Sequence, residues 1–290
     1  MTFLRSSPGS SAPPEVQSAP PGTEVLPGYQ VMSLMRRGGR LDTYDVYSQE
    51  RDCRCVVKIL RADRAHEASC RRDLLLEGQL LRDLTHPHLV RAYEVVDQPR
   101  PAVVLETLTG ATLAALIEDS PLLPADVAHL GKQLASVLGY LHRHQWLHLD
   151  VKPSNIVVQA GRAILIDLSL VRRPGGGRAG AGTDGYLAPE QAHGRQLSPA
   201  CDVFGLGVTL GEALTDRLPY GEASDWPTGS APRRPGRAFV RHLNRAPEPL
   251  ASLVRACIDP APAHRPSLTE VAATLAPLTA GAAATTSPTI

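Results

Sequence analysis

The run His148-Leu149-Asp150-Val151-Lys152-Pro153-Ser154-Asn155 puts an acid, a lysine and an amide into one short loop. Twelve residues after Asn155, the apolar stretch Ile164-Leu165-Ile166 ends on a second acid, Asp167, followed by Leu168 and Ser169. A third segment comes next: Gly182-Thr183-Asp184-Gly185-Tyr186-Leu187-Ala188-Pro189-Glu190. Phosphoryl transfer asks for this combination. It needs a group that orients the attacking hydroxyl, positive charge on the moving phosphoryl group, and oxygen ligands for Mg²⁺. Each run alone reads as an ordinary loop, but the three in this order and spacing are not a chance arrangement.

Working outward, the chain before these loops is strand-rich. Tyr44-Asp45-Val46-Tyr47, Cys55-Val56-Val57-Lys58-Ile59-Leu60 and Ala102-Val103-Val104-Leu105 are short β-branched or aromatic runs. One helix pattern interrupts them, with Leu74, Leu75, Leu76, Leu80, Leu81 and Leu84 at helical spacing among charged neighbours. Thr85-His86-Pro87-His88 stops it, because proline disfavours helix in the residue before it. From about Leu113 onward helices take over. Val127 to His142 has apolar residues at i, i+3, i+4, and Val203 to Leu214 is apolar nearly throughout, as in a buried helix. Pro249 to Ile258 and Leu268 to Leu275 follow. A strand-rich part that gives way to a helix-rich part near residue 108 predicts two lobes and the α+β class.

With these segments the sequence resembles the eukaryotic-like serine/threonine protein kinases, in a bacterial form. The family's H-R-D-x-K-P-x-N loop, D-F-G motif and A-P-E motif match His148–Asn155, Asp167–Ser169 and Ala188–Glu190 in turn. The resemblance implies a bilobal kinase fold over residues 29–276, with an N-lobe at 29–105, a hinge at 106–108 and a C-lobe at 109–276. It also implies ATP and Mg²⁺ as cofactors and a protein substrate with a Ser/Thr acceptor. By the same resemblance Asp150 orients and deprotonates the acceptor, Lys152 stabilises charge on the γ-phosphoryl group, and Asn155 and Asp167 are the metal ligands. Val56-Val57-Lys58 stands in the place of the V-A-I-K strand, so Lys58 would reach the ATP phosphates and Glu77 would pair with it. Glu106 and Leu108 would bind the adenine edge through backbone groups. Asp202 and Arg265 match structural positions, the arginine being the partner of Glu190, although Asp202 also reads as a helix N-cap. A lysine two residues after the acid is similar to the serine/threonine branch rather than the tyrosine branch.

Three departures stand out. The G-x-G-x-x-G loop aligns with Arg36-Arg37-Gly38-Gly39-Arg40-Leu41 and keeps only its middle glycine, Gly38. The ATP-binding residues expected there are Arg36, Gly38 and Gly39, in a stiffer loop than the family's. Leu149 replaces the arginine that clasps a phosphorylated activation segment in the family, which implies activity without that phosphorylation. Leu168-Ser169 replaces Phe-Gly after the metal acid. The eroded loop motivates a pseudokinase or scaffold module as the alternative reading, with a small-molecule phosphotransferase after it. A scaffold, however, has no need of Lys58, Glu77, Asp150, Lys152, Asn155 and Asp167 together.

Composition narrows the field further. With 290 residues and 43% hydrophobic content the chain can bury a substantial core. A net charge of +1 leaves no field to draw nucleic acid or an acidic membrane, so no nucleic-acid partner is expected. The five cysteines fall without a disulfide or zinc pattern, and no signal peptide or membrane span is readable; the expected location is cytoplasmic. His142 and His144 read as the end of an exposed helix, with metal ligation a minor possibility. Residues 1–28 and 277–290, rich in Ser, Pro, Gly, Ala and Thr, are expected to be disordered tails. They carry Ser6, Ser7, Thr285, Thr286 and Ser287 as possible autophosphorylation sites.

Overall fold

The computed structural model describes residues 18–221 and 234–279. The five tail hydroxyls named above lie outside the described residues. Strands β1 (Glu24–Leu26), β2 (Tyr29–Arg37), β3 (Leu41–Ser48) and β4 (Cys53–Leu60) precede helix α1 (Ala68–Asp83), and β5 (Ala92–Val96) and β6 (Ala102–Glu106) follow it. All six strands form one antiparallel sheet in the order β1-β2-β3-β4-β6-β5.

The period of two along β4 decides what each face of this sheet does. Cys55, Val57 and Ile59 join Tyr44, Val46, Ala102 and Val104 in one buried layer, while Val56 and Leu60 face the other way with Val103 and Leu105. Lys58 shares that second face and sits opposite Val103 in the ladder, so its side chain points toward α1.

The folded chain begins earlier than expected. Strand β1 lies inside the span 1–28 given above as a tail. Its Val25 and Leu26 are buried, Leu26 pairs with Tyr29, and the Ala19 N–H donates to the Tyr44 hydroxyl at 2.9 Å. Three residues are too short to carry a periodic signal, and the surrounding Pro and Gly masked them. At the other end, Ala276–Thr279 forms a 3-10 turn with Leu278 against the core, so residues 277–279 are also folded.

Helix α1 approaches the sheet at a glycine. A Cβ on Gly78 would lie 2.5 Å from Cγ2 of Val103 and 3.0 Å from Cγ2 of Val95. Gly78 therefore sets how closely α1 lies on β5 and β6, and with it the reach of Glu77, one residue before, to Lys58. Gly78→Ala should overpack this contact, destabilise the fold by ~1–3 kcal/mol and weaken ATP binding with it. Urea unfolding and calorimetric titration with ATP measure the two effects.

The second part is helical. Helices α2 (Leu113–Asp119) and α3 (Pro124–Arg143) come first, and a small sheet of β7 (Ala111–Thr112), β8 (Ile156–Gln159) and β9 (Arg162–Leu165) carries the loops. Then follow β10 (Gly175–Gly176), α4 (Pro189–Ala192), β11 (Gln196–Leu197), α5 (Pro199–Thr215), α6 (Arg237–Leu243), α7 (Glu248–Cys257) and α8 (Leu268–Leu275). Helix α5 is buried along almost its whole length, as its unbroken apolar run requires, and α3 and α7 pack on it. Ser267 and Glu270 form a reciprocal capping box that starts α8. The two parts are joined beneath the cleft, where the Val90 N–H donates to Leu165 O and the Leu165 N–H to His88 O, both at 2.9 Å.

Candidate active site

The β4 and α1 side chains meet in a buried charge cluster. Lys58 Nζ lies 2.7 Å from Glu77 Oε1 and 3.4 Å from Asp167 Oδ2. Burial disfavours the Lys58 ammonium, but the two carboxylates more than offset it and raise its pKa. Burial also pushes Glu77 up and works against ionisation of Asp167. Lys58 and the hydrogen bonds from Ser169 nevertheless hold Asp167 down at about 2. Two carboxylates share one ammonium here. A depressed folded value contributes stability above the ordinary aspartate value of about 3.9 and loses it as pH falls through the folded value. The stability advantage of wild type over Asp167→Asn should therefore be level near neutral pH and shrink as pH is lowered from about 4 toward 2. Urea unfolding across that range reads it directly.

The catalytic-type loop is shaped from below by Asp202, in the first turn of α5. Its Oδ2 accepts the His148 N–H at 2.8 Å and its Oδ1 accepts the Leu149 N–H at 2.7 Å. Asp202 is thus a loop anchor rather than the cap of its own helix. Burial works against its charge, but His142 and these N–H groups lower its pKa. His142 also departs from expectation: it is half-buried, with Nε2 2.7 Å from Asp202, because the end of α3 packs against α5 instead of facing solvent. Burial keeps His148 below the usual imidazole range, and its Nδ1 accepts the Asp150 N–H at 3.1 Å.

Above this base the polar groups converge. Asp150 Oδ2 accepts from Asn155 Nδ2 at 2.9 Å and lies 2.8 Å from Lys152 Nζ. The Thr183 hydroxyl donates to Asp150 Oδ1 at 2.7 Å and accepts from Lys152.

A cavity of about 550 Å³ opens between the lobes. Among the residues singled out in the sequence, Arg36, Gly38, Gly39, Lys58, Glu77, Asn155 and Asp167 line it. Asp150 and Lys152 sit beside it, joined through Asn155. The expected hinge residues Glu106 and Leu108 lie off its lining. The Glu106 carboxylate accepts the Arg91 N–H at 2.8 Å and its own N–H donates to Arg91 O, commitments that turn it toward β5. Leu108 is partly buried against the core. At the roof, the β2–β3 turn closes through the Gly38 N–H to Leu41 O at 2.8 Å, and Arg61 Nη1 donates to Gly38 O at 3.1 Å. Arg61 is a loop-fixing residue that no motif marked. For a divalent cation the cleft offers a carboxylate on Asp167 and an amide oxygen on Asn155, whose Nδ2 is committed to Asp150. Two hard oxygen donors with space beside them fit Mg²⁺, which keeps most of its shell as water and phosphate.

Residues 29–275 match the family model described as the protein kinase domain. The chain belongs to the protein kinase family. Curated bacterial serine/threonine kinases are among its relatives. It is 33% identical over 233 residues to the serine/threonine-protein kinase PkaA of Streptomyces coelicolor, covering 75% of this chain and 41% of PkaA. Identity to PrkC of Bacillus subtilis is 29% over 207 residues, 69% of this chain and 32% of PrkC. Identity to PknD of Mycobacterium tuberculosis is 31% over 219 residues, 73% of this chain and 32% of PknD. The chain thus spans about two-fifths or less of the length of these curated relatives. Among its described residues, no helix is long and apolar enough to cross a membrane.

As a protein kinase domain the chain is expected to use ATP and a divalent cation. Its departures from the family motifs are accommodated locally. Leu168 is buried in the core that spans both lobes. Leu149 is also buried, and its φ of +66° leaves the N–H facing Asp202. The late pairing holds as well: Arg265 Nη1 and Nη2 reach the two oxygens of Glu190 at 2.7 and 2.9 Å.

Proposed function

We propose that this chain is the catalytic domain of an ATP-dependent serine/threonine protein kinase acting on protein acceptors in the cytoplasm. The observation that carries the reading is Asp150, hydrogen-bonded to Lys152, Asn155 and Thr183 beside the cavity that holds Lys58, Glu77 and Asp167. Asp150 orients the acceptor hydroxyl and takes its proton, while Lys152 neutralises charge that builds on the transferred phosphoryl group. Lys58, aimed by Glu77, holds the ATP phosphates, with Arg36, Gly38 and Gly39 above them. Asn155 and Asp167 would hold Mg²⁺, which supplies charge neutralisation on the phosphate oxygens when bound. Adenine would meet the backbone of Glu106 and Leu108 at the hinge. The pseudokinase alternative gains no support from the geometry, since all six polar groups that turnover needs converge.

The test is Mg²⁺-dependent transfer of labelled γ-phosphate to the protein itself and to generic Ser/Thr peptides, with Asp150→Asn in parallel. Transfer by wild type that the variant loses is the expected result. ATP binding without transfer by wild type overturns the proposal.

A further inference from the structure

We propose that Gln191 is a positioning residue that clasps the activation segment to the catalytic loop through neutral hydrogen bonds, so that the segment is set for catalysis without a phosphate. The inference rests on the kinase reading above and adds its mode of regulation. It begins from the three hydroxyls between Asp167 and Glu190, namely Ser169, Thr183 and Tyr186. Two of these hydroxyls are already engaged: Thr183 donates to Asp150 at 2.7 Å, and Tyr186 donates to Glu212 Oε2 at 2.6 Å. Ser169 adjoins the metal acid, its N–H donating to Asp167 Oδ1 at 2.8 Å. A phosphate on Thr183 or Tyr186 would break that bond, and one on Ser169 would set its charge beside the Asp167 carboxylate.

At the loop, Leu149 stands where an arginine could have met such a phosphate, and it offers only its backbone. The Leu149 carbonyl accepts from Gln191 Nε2 at 2.7 Å, and the same Nε2 donates to Ala181 O at 2.6 Å. The two hydrogens of one amide therefore bridge the catalytic loop and the activation segment. Ala181 is two residues from Thr183, whose hydroxyl is bonded to Asp150, so the clasp acts directly on the placement of that threonine. Gln191 is 2% exposed and follows Glu190, which the Arg265 guanidinium fixes. Its donor is therefore held from a rigid base. Gly182 makes the approach possible: its φ is +148°, and a Cβ there would stand 2.8 Å from Gln191 Nε2 and 2.3 Å from Leu187 Cδ2. The middle of the segment is pinned separately, through β10 on β11 and the Gly177 N–H to Arg195 O at 3.1 Å.

The experiment starts from wild type co-expressed with a phosphatase and shown by intact mass to carry no phosphate. Its kcat should equal that of the untreated enzyme. Gln191→Met keeps the length and removes both donors, and Gln191→Glu turns an oxygen toward two carbonyl oxygens. Both variants should lower kcat and raise KM for the acceptor peptide by roughly tenfold or more, as misplacement near a reacting centre does, with the Kd for ATP unchanged. Amide hydrogen exchange across residues 175–187 should rise in both. A residue that only stabilises the fold would lower Tm and leave the split between peptide KM and ATP Kd untouched. The proposal is overturned if the phosphate-free enzyme is inactive and regains turnover on phosphorylation, or if Gln191→Met keeps both wild-type kinetics and wild-type exchange. Should wild type transfer no phosphate at all, the kinase reading fails, and hydrogen exchange still decides whether the clasp exists.

Discussion

Asp150→Asn should lower phosphoryl transfer by ~10²–10⁴-fold, the usual contribution of a positioned general base. The carboxylate accepts three side-chain hydrogen-bond or ion-pair contacts, from Asn155, Lys152 and Thr183, and has one oxygen shared by two of them. An amide in its place keeps the shape, turns one acceptor into a donor against Lys152 or Thr183, and can no longer take a proton. Asp150 does not line the interlobe cavity, whereas Lys58, Asn155 and Asp167 do. The loss should therefore fall on kcat, with the Kd for ATP nearly unchanged by calorimetric titration. A tenfold or larger loss of ATP affinity would move Asp150 from the acceptor to the nucleotide.

Arg265→Ala should produce the largest loss of stability, ~3–5 kcal/mol, the cost of leaving a buried charge without its partner. The Arg265 side chain is fully buried and reaches Glu190 with both terminal nitrogens. It also donates to Ala200 O at 2.8 Å and to Asp259 O at 2.7 Å, and its guanidinium stands 4.9 Å from the Phe204 ring. Truncation strips α4, the start of α5 and the loop before α8 of their common donor. Against a typical total of ~5–15 kcal/mol, the change brings the domain close to unfolding at physiological temperature. The pH dependence separates the charge from the packing. Burial works against the Glu190 carboxylate, but Arg265 lowers its pKa, so in wild type the pair stabilises above the ordinary glutamate value and is lost as pH falls through the folded one. In Arg265→Ala the orphaned carboxylate is relieved by protonation. The deficit relative to wild type, read by urea unfolding, should therefore be greatest near neutral pH and narrow under acid. Adding Glu190→Gln should recover part of it at neutral pH; no recovery would assign the loss to packing alone.

How much of this was legible beforehand differs residue by residue. Lys58 and Glu77 could be placed through the resemblance, as the V-A-I-K lysine and its glutamate partner; period two and helical leucine spacing marked the strand and the helix that carry them, not their roles. Strand β1 was hidden by its length and by the prolines around it. The ladder with β2 makes it a strand, and that partner is not visible within three residues. His142 was misplaced as exposed because the apolar pattern of α3 gives the buried face but not the identity of the neighbour, α5, that covers its end. Arg61 and Gln191 carried no signal at all. One holds a backbone carbonyl 23 positions away and the other joins two carbonyls from separate loops, and backbone carbonyls look the same in every sequence.

What the sequence alone determined is therefore the set of chemical groups, their order and the class of the fold. Those depend on side-chain type and on local periodicity, which a linear chain displays. Tertiary structure decided the pairing: Asp202 under the catalytic loop, one ammonium between Glu77 and Asp167, the Glu106 carboxylate on the Arg91 N–H, and the amide of Gln191 across two loops. These are contacts between segments far apart along the chain, made where a hydrogen bond over less than 3 Å depends on how α1, α4 and α5 pack.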